Sequence, residues 1–175
     1  EEDGSHFHVA ADAAYRLPEN GGCTIEGDWS NAAFFLAAGA LSAPVTMTGL
    51  DLSSSQGDKA IVELLRDFGA NVQISDDAIT IAPAPLQAQT ISVKEIPDAL
   101  PILSVIAAQA EGTTVFTNIE RLRLKESDRI ATTSAMLTAM GVPCESDEHT
   151  MRVTGVKQLH GGCSVDSAND HRIAM

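Results

Sequence analysis

The feature of this sequence that most constrains its fold is an internal repeat. The segment IEGDWSNAAFFLAAGALSAPVTMTGL is followed later by IPDALPILSVIAAQAEGTTVFTNI. Both contain a short strand pattern, an aspartate, an apolar helical stretch and a strand rich in Thr and Val. Asp28 and Asp98 lie 70 residues apart, and so do Asp58 and Asp128. Self-similarity at a fixed period indicates successive copies of one supersecondary unit.

Each complete copy is predicted to have the element order β-α-β-α-β-β. Its first helix, 29–41 in the first copy and 99–110 in the second, is apolar on all sides and should be buried. Its second helix is amphipathic and ends at a glycine, Gly69 or Gly141, which suits the left-handed position after a helix. The apolar stripe of this helix comprises Ile61, Leu64, Leu65 and Phe68 in the first copy and Ile130, Leu137 and Met140 in the second. Strands at 71–74 and 78–82 are expected to follow in the first copy.

A third copy begins at VDSANDHRIAM, where Asp170 lies 72 residues after Asp98. The complete units are expected at about 23–86 and 87–156, and a truncated third unit at 157–175. A helix cut at its first turn cannot bury an apolar face. The chain is therefore expected to be part of a larger protein.

Composition limits the partners that such a chain can have. Its 24 Asp and Glu residues outnumber 11 Lys and Arg, which gives a net charge of −13. This argues against a nucleic-acid partner, which needs a basic face, and against an anionic membrane surface. The longest apolar runs, such as 32–41, are too short to span a bilayer. Three widely spaced cysteines, Cys23, Cys144 and Cys163, favour a reducing, cytoplasmic compartment.

Four of the 11 basic residues lie in the stretch RLRLKESDRI, residues 121–130. The alternation of Arg121, Arg123 and Lys125 with leucines predicts a strand that has its cations on one face. Ser127 or Asp128 is then expected to begin a helix, whose first turn offers unpaired N–H groups to a phosphate or carboxylate.

A structural reading of the same stretch is a solvated strand with ion pairs. Glu126 and Arg129 could simply pair as neighbours three residues apart. The first copy of the repeat, however, has Gln56 and Lys59 at the equivalent positions. The second copy therefore carries charge that the scaffold does not require.

Asp98 follows Ile96-Pro97 and precedes an apolar helix, so it could be either a helix cap or a functional carboxylate. Asp28 occupies the same place in the first copy and serves as the structural comparison. Asp98 and the Lys125-Glu126-Arg129 cluster lie at strand-to-helix junctions of one unit and should open on one edge. Two carboxylates with cations between them are typical of an acid–base site for an anionic substrate.

The segment NDHRIAM offers a second candidate group. Asn169 or Asp170 could cap a helix and place His171 and Arg172 in its first turn. The alternative is a cap beside a surface arginine. No second ligand stands three or four residues from His171, so no metal site is predicted.

Four of these segments together resemble the 3-phosphoshikimate 1-carboxyvinyltransferase family, also called EPSP synthases. They are GDWSNAAFFLAAGAL, IPDALP, RLRLKESDRI and NDHRIAM, and the resemblance extends from about Gly21 to Met175. It implies an α/β fold (α+β in some schemes) of two inside-out barrels, each built from three β-α-β-α-β-β units. Residues 1–22 would then be the tail of a first domain and the crossover, and 23–175 the second domain.

The resemblance also implies a reaction and its residues. Enzymes of this family transfer the carboxyvinyl group of phosphoenolpyruvate to the 5-hydroxyl of shikimate 3-phosphate and release phosphate, in the shikimate pathway of aromatic amino-acid biosynthesis. They use no organic cofactor and have no strict need for a metal. The matching positions are Asp98 as the base and a shikimate 3-phosphate contact, Glu126 as the acid, Lys125 at shikimate 3-phosphate, Arg129 and Arg172 at phosphoenolpyruvate, and His171 adjacent.

Several parts of the family pattern lie outside this sequence, including the first domain, so the isolated chain is expected to be inactive. Arg121 stands where some members have an asparagine that contacts substrate. Two other functions remain open. One is the sister transfer to UDP-N-acetylglucosamine, whose enzymes share the fold but lack the K-E-S-D-R and N-D-H-R strings. The other is a non-catalytic module built from the same repeat.

Overall fold

The computed structural model describes residues 8–14, 16, 19 and 21–175. The predicted tail of a first domain, 1–22, lies partly outside these residues. Among the residues described, no helix is long and apolar enough to cross a bilayer.

The first unit forms two helices over a three-stranded antiparallel sheet. Its elements are α1 (Trp29–Leu41), β1 (Val45–Thr48), a 3-10 turn (Gly57–Ala60), α2 (Ile61–Phe68), β2 (Asn71–Ile74) and β3 (Ala78–Ala82). The sheet has the order β1-β3-β2. Gly69 ends α2 with a φ of 106°, which confirms the left-handed position predicted for it.

The strand predicted before α1 is wrong, because residues 21–28 form no strand. Ile25 in this segment is 83% exposed, so no buried apolar side chain fixes the segment against a neighbouring strand.

The second unit repeats the order and does have its first strand. Its elements are β4 (Thr90–Ser92), a 3-10 turn (Pro97–Ala99), α3 (Leu100–Ala107), β5 (Thr113–Thr117), a 3-10 segment (Glu120–Leu124), α4 (Arg129–Ala139), β6 (Cys144–Ser146) and β7 (Thr150–Thr154). The sheet order is β4-β5-β7-β6, and only the β4–β5 pair is parallel. A short helix, α5 (His171–Ala174), begins the third unit.

The charged stretch after β5 is not the strand that its alternation predicts. Residues Glu120–Leu124 form a 3-10 segment instead. Leu122 is fully buried while Leu124 is 86% exposed, so the two leucines do not share one face. Asn118, with a φ of 60°, turns the chain away from the sheet just before this segment.

The core lies between the helices and the two sheets. Trp29, Leu36, Leu103 and Ile106 are completely buried in it. The expectation that α1 is buried on all sides holds only in part, because Phe35 is 57% exposed. The helix packs against β1, β3, α2 and α3, which leaves one strip of its surface uncovered.

Candidate active site

The candidate site lies where the N-terminal ends of α1, α3, α4 and α5 approach one another. Asp28, Asp128 and Asp170 cap α1, α4 and α5, each by accepting hydrogen bonds from backbone N–H groups of the first turn. Of the predicted alternatives, the cap residues are thus Asp128 rather than Ser127 and Asp170 rather than Asn169. These caps fix the helix ends that carry the charged side chains.

Asp98 stands at the equivalent position before α3, but it does not cap the helix. No side chain caps either the 3-10 turn at Pro97–Ala99 or α3. The Asp98 carboxylate instead accepts from Nζ of Lys125 at 2.9 Å and from Nη1 of Arg129 at 2.7 Å. The capping interpretation of Asp98 is therefore wrong, and its functional role stays a prediction.

Two cations determine the protonation of Asp98. Its partial burial acts to raise the pKa, but the hydrogen bond and charge of Lys125 and the charge of Arg129 outweigh that effect. The pKa of Asp98 is therefore lowered, and the group is a carboxylate at neutral pH. A carboxylate is the form that can accept a proton.

Arg129 is the most enclosed cation of the site, with a side chain only 1% exposed. Its Nε donates to Oδ2 of Asp170 at 2.8 Å, and its Nη2 donates to Oε2 of Glu126 at 2.7 Å. Burial acts to lower the pKa of Arg129, but Asp170, Asp98 and Glu126 together raise it. The guanidinium thus joins three carboxylates from three parts of the chain.

Glu126 forms the pair with Arg129 that a purely structural reading also predicts. Its side chain is 53% exposed, so this carboxylate faces open space on its other side. The pair does not use all the hydrogen-bond donors of Arg129, which also contacts Asp98 and Asp170. Glu126 is therefore the accessible carboxylate of the cluster and Asp98 the more enclosed one.

Asp170 is a member of the site that sequence reasoning identified only as a helix cap. It is completely buried, and it also accepts from the hydroxyl of Ser127 at 3.0 Å and from the backbone N–H of Arg172 at 2.9 Å. Its burial acts to raise the pKa, but Arg129 and the two N–H and O–H donors lower it. Asp170 occupies the same position of the repeat as Asp98, and this equivalence is the sequence signal that could have identified it as a site residue.

Asp58 is a further carboxyl group near the site, and the sequence pattern predicts no role for it. Burial raises the pKa of this half-buried group, and the negative charge of Asp98 raises it further. The charges of Arg172 and Lys125 act in the opposite direction. Asp58 thus lies within electrostatic range of the candidate site, although it belongs to the first unit.

Arg172 reaches across from α5 to the first turn of α1. It is 8% exposed, and its Nη2 donates to Oγ of Ser30 at 2.6 Å. The ring centroid of Phe34 lies 5.9 Å from the guanidinium carbon. Nε of Arg172 is buried and has no hydrogen-bond partner among the described residues. This N–H is therefore a buried donor without an acceptor among the described residues.

His171, the neighbour of Arg172, is more peripheral. Its side chain is 58% exposed, and its Nδ1 lies 3.9 Å from Oδ1 of Asp170. Arg121 is also exposed. The structure therefore brings Asp98, Lys125, Glu126 and Arg129 into direct contact, and leaves His171 at the edge.

At the equivalent positions of the first unit, the side chains bind backbone groups instead of one another. Gln56, the counterpart of Glu126, accepts from the backbone N–H of Trp29 and donates to the carbonyl of Gly27, both at 2.9 Å. Lys59, the counterpart of Arg129, donates to the carbonyl of Ser54 at 2.5 Å. Both side chains bind backbone, so the carboxylate–guanidinium cluster does not recur at these positions of the first unit.

Comparison with solved structures defines the class of this fold. An EPSP synthase from Acinetobacter baumannii superimposes with a TM-score of 0.73 and 29% identity over 86% of this chain and 38% of that one. The enolpyruvyl transferase NikO from Streptomyces tendae superimposes with a TM-score of 0.60 over 76% of this chain and 31% of that one. At 23% identity, the second likeness concerns the fold alone. The chain has the α/β fold of the enolpyruvyl transferases.

Sequence comparison then defines the family. The sequence model of EPSP synthase (3-phosphoshikimate 1-carboxyvinyltransferase) matches residues 5–175. The 3-phosphoshikimate 1-carboxyvinyltransferase of Clostridium novyi is 42% identical over 86% of this chain, and that of Laribacter hongkongensis is 42% identical over 98%. The chain belongs to the EPSP synthase family, as its motifs predict. It spans 34% and 40% of the length of these two relatives.

Proposed function

We propose that the protein containing this chain transfers the carboxyvinyl group of phosphoenolpyruvate to the 5-hydroxyl of shikimate 3-phosphate and releases phosphate. Membership of the EPSP synthase family supports this reaction. The single observation that carries it is the Asp98 carboxylate, held between Lys125 and Arg129 at 2.9 and 2.7 Å. A base beside two cations suits a hydroxyl group on a substrate that also bears a phosphate.

Asp98 acts as the proton acceptor for the 5-hydroxyl. Lys125 lowers the pKa of Asp98. When the phosphate of shikimate 3-phosphate attracts Nζ of Lys125, the carboxylate loses part of its positive surroundings. Its basicity then rises at the moment when the hydroxyl group is in place. Substrate binding thus activates the base.

Glu126, in its protonated form, acts as the proton donor to the methylene carbon of phosphoenolpyruvate. The hydroxyl oxygen bonds to the neighbouring carbon, which gives a tetrahedral intermediate. The bond from that carbon to the phosphate oxygen then breaks, phosphate leaves, and loss of a proton from the methyl group restores the double bond. The cations Lys125 and Arg129 stabilise the charge that develops in these steps.

Arg129 and Arg172 hold phosphoenolpyruvate, which carries a phosphate and a carboxylate. A guanidinium binds either group through two parallel N–H bonds. Asp170 keeps the Nε edge of Arg129 fixed when the substrate displaces Glu126 or Asp98 from its Nη atoms. The unpartnered Nε of Arg172 supplies a further donor. His171 stands beside this group.

The remaining parts of the site belong to a first domain that precedes this chain. We therefore expect the isolated 175-residue chain to release no phosphate from the two substrates. Its three unpaired cysteines suit a reducing compartment, which supports a cytoplasmic location for the whole protein.

The test is phosphate release by the full-length protein supplied with shikimate 3-phosphate and phosphoenolpyruvate. We expect turnover, and Asp98→Asn should lower kcat by roughly 10²–10⁴-fold. Glu95→Gln, at an exposed neighbour of the same loop, is the matched control. Turnover with UDP-N-acetylglucosamine instead would assign the sister reaction. Absence of turnover with either acceptor would assign a non-catalytic module.

A further inference from the structure

The first turn of α1 contains a hydrogen-bonded group that the reaction above does not use. Asp28 caps the helix through the backbone N–H groups of Ser30 and Asn31, at 2.9 and 3.1 Å. The hydroxyl of Ser30 also donates to Oδ1 of Asp28 at 2.7 Å, and Nδ2 of Asn31 donates to Oδ2 at 2.8 Å. Asp28 thus binds four donors from two residues.

These bonds determine which atoms the two side chains present to Arg172. Because the proton of Ser30 is committed to Asp28, the hydroxyl oxygen can only accept, and it accepts from Nη2 of Arg172 at 2.6 Å. Oδ1 of Asn31 lies 3.5 Å from Nη1 of the same guanidinium. Through these hydrogen bonds, the Asp28 carboxylate polarises the Ser30 hydroxyl and so stabilises the guanidinium of Arg172.

The protonation of Asp28 agrees with this arrangement. The hydrogen bond from Ser30 is the largest cause of the lowered pKa of Asp28, and the charge of Arg172 adds to it. The carboxylate is therefore ionised over the working range of pH. Arg172 receives this stabilisation without forming a direct ion pair that would occupy its Nε edge.

The repeat shows that the helix itself does not require these polar side chains. In the second unit, Leu100 and Pro101 occupy the positions of Ser30 and Asn31, and both are buried. The polar pair in the first unit has a different partner, the arginine of the third unit. Its contact with Arg172 has no counterpart at Leu100 and Pro101.

We propose that Ser30, backed by Asp28, is a positioning residue for Arg172. It fixes the Nη edge of the guanidinium at the N-terminus of α1 and so sets the orientation of the whole group, including its buried Nε–H. This inference rests on the proposed function for its kinetic consequence, because Arg172 is there the residue that binds phosphoenolpyruvate. The geometry itself concerns this chain alone.

The chain offers a matched control for Ser30. Ser53 donates to Oδ1 of Asp51 through its backbone N–H and its hydroxyl, at 2.7 and 2.6 Å, which is the same local arrangement as at Asp28. The described contacts of Ser53 include no arginine. Ser53→Ala therefore removes an equivalent hydroxyl without affecting Arg172.

The kinetic test uses the full-length protein. We expect Ser30→Ala to raise the KM for phosphoenolpyruvate about tenfold, because a hydrogen bond to a charged group is lost. The KM for shikimate 3-phosphate and kcat should change less than twofold or so. Ser30→Thr, which keeps the hydroxyl, should restore the wild-type KM. A KM in Ser30→Ala equal to that in Ser53→Ala would overturn the proposal.

A second measurement needs no substrate. The Nε–H proton of Arg172, assigned by its loss in Arg172→Lys, should exchange slowly with water in wild type and about tenfold faster in Ser30→Ala. Ser30→Thr and Ser53→Ala should keep the slow rate. Equal rates in wild type and Ser30→Ala would refute the role of Ser30 even in an inactive protein. Absence of wild-type turnover would refute only the proposed reaction.

Discussion

Oδ2 of Asp170 accepts a hydrogen bond from Nε of Arg129 at 2.8 Å, although 41 residues separate the two in sequence. Through this bond, the helix cap of the third unit fixes the first helical residue of α4 in the second. The carboxylate is fully buried and the guanidinium almost so, and Ser127 contributes a further bond. The orientation of the site therefore depends on a contact between units.

Removal of this charge should destabilise the full-length protein. Asp170→Asn neutralises the only fully buried carboxylate of the three that contact Arg129, and breaking a buried pair costs up to about 3 kcal/mol in the free energy of unfolding. Urea denaturation measures the difference. Asp77→Asn, at an exposed turn between β2 and β3, is the control. An equal midpoint for both variants would show that Asp170 contributes no more than a surface carboxylate.

Asp170 should also make the free energy of unfolding depend on pH in the acid range. Because the pKa of Asp170 is lowered in the folded state, the unfolded chain binds the proton more readily at low pH. Its contribution to stability is complete above the unfolded pKa of about 3.9 and is lost as pH falls below that value. Denaturation between pH 3 and pH 7 should show that the free energy of unfolding falls less at acid pH in Asp170→Asn than in wild type. Parallel curves would argue against this linkage.

Replacement of Lys125 should alter the pH dependence of catalysis. Lys125 lowers the pKa of Asp98, so Lys125→Met should raise it. Since the proposed base must be unprotonated, the acid limb of kcat/KM should then move to higher pH. Lys94→Met, at a lysine 71% exposed, serves as the comparison. An acid limb that stays in place would mean that Asp98 is not the titrating base.

Substitution of Glu126 should lower kcat without weakening the binding of phosphoenolpyruvate. Glu126→Gln should lower kcat by roughly 10²–10⁴-fold, because the amide cannot donate the required proton. The affinity for phosphoenolpyruvate should change little, since Asp98 and Asp170 still hold Arg129. Calorimetry and initial rates measure the two effects, with Glu145→Gln as a surface control. An undiminished kcat would exclude Glu126 as the proton donor.

Local pattern predicted much of the fold. The bounds of α1, β2 and β3 coincide with the predicted 29–41, 71–74 and 78–82, since apolar periodicity and turn residues act within a few positions. The helix predicted at 99–110 is shorter, with α3 at Leu100–Ala107 after a 3-10 turn. Asp128 and Asp170 cap their helices because a short carboxylate side chain reaches the first N–H groups.

The errors have a common physical cause. The alternation at 121–125 indicates a strand only if a neighbouring strand is present to pair with it, and here the chain turns at Asn118. The cluster of Asp98, Lys125, Glu126 and Arg129 was predictable from its position at helix ends. The buried contact of Asp170 with Arg129 was not, because no local rule specifies a partner in another unit.

The start of α3 shows how a duplicated unit can exchange a structural residue for a reactive one. A helix normally needs a side chain to satisfy its first N–H groups. Here the N–H of Ala99 bonds to the carbonyl of Ile96, that of Leu100 bonds to Pro97, and Pro101 has no N–H at all. The two prolines thus replace the aspartate cap seen at α1. Asp98 is free to bind Lys125 and Arg129, and its substitution removes no helix cap.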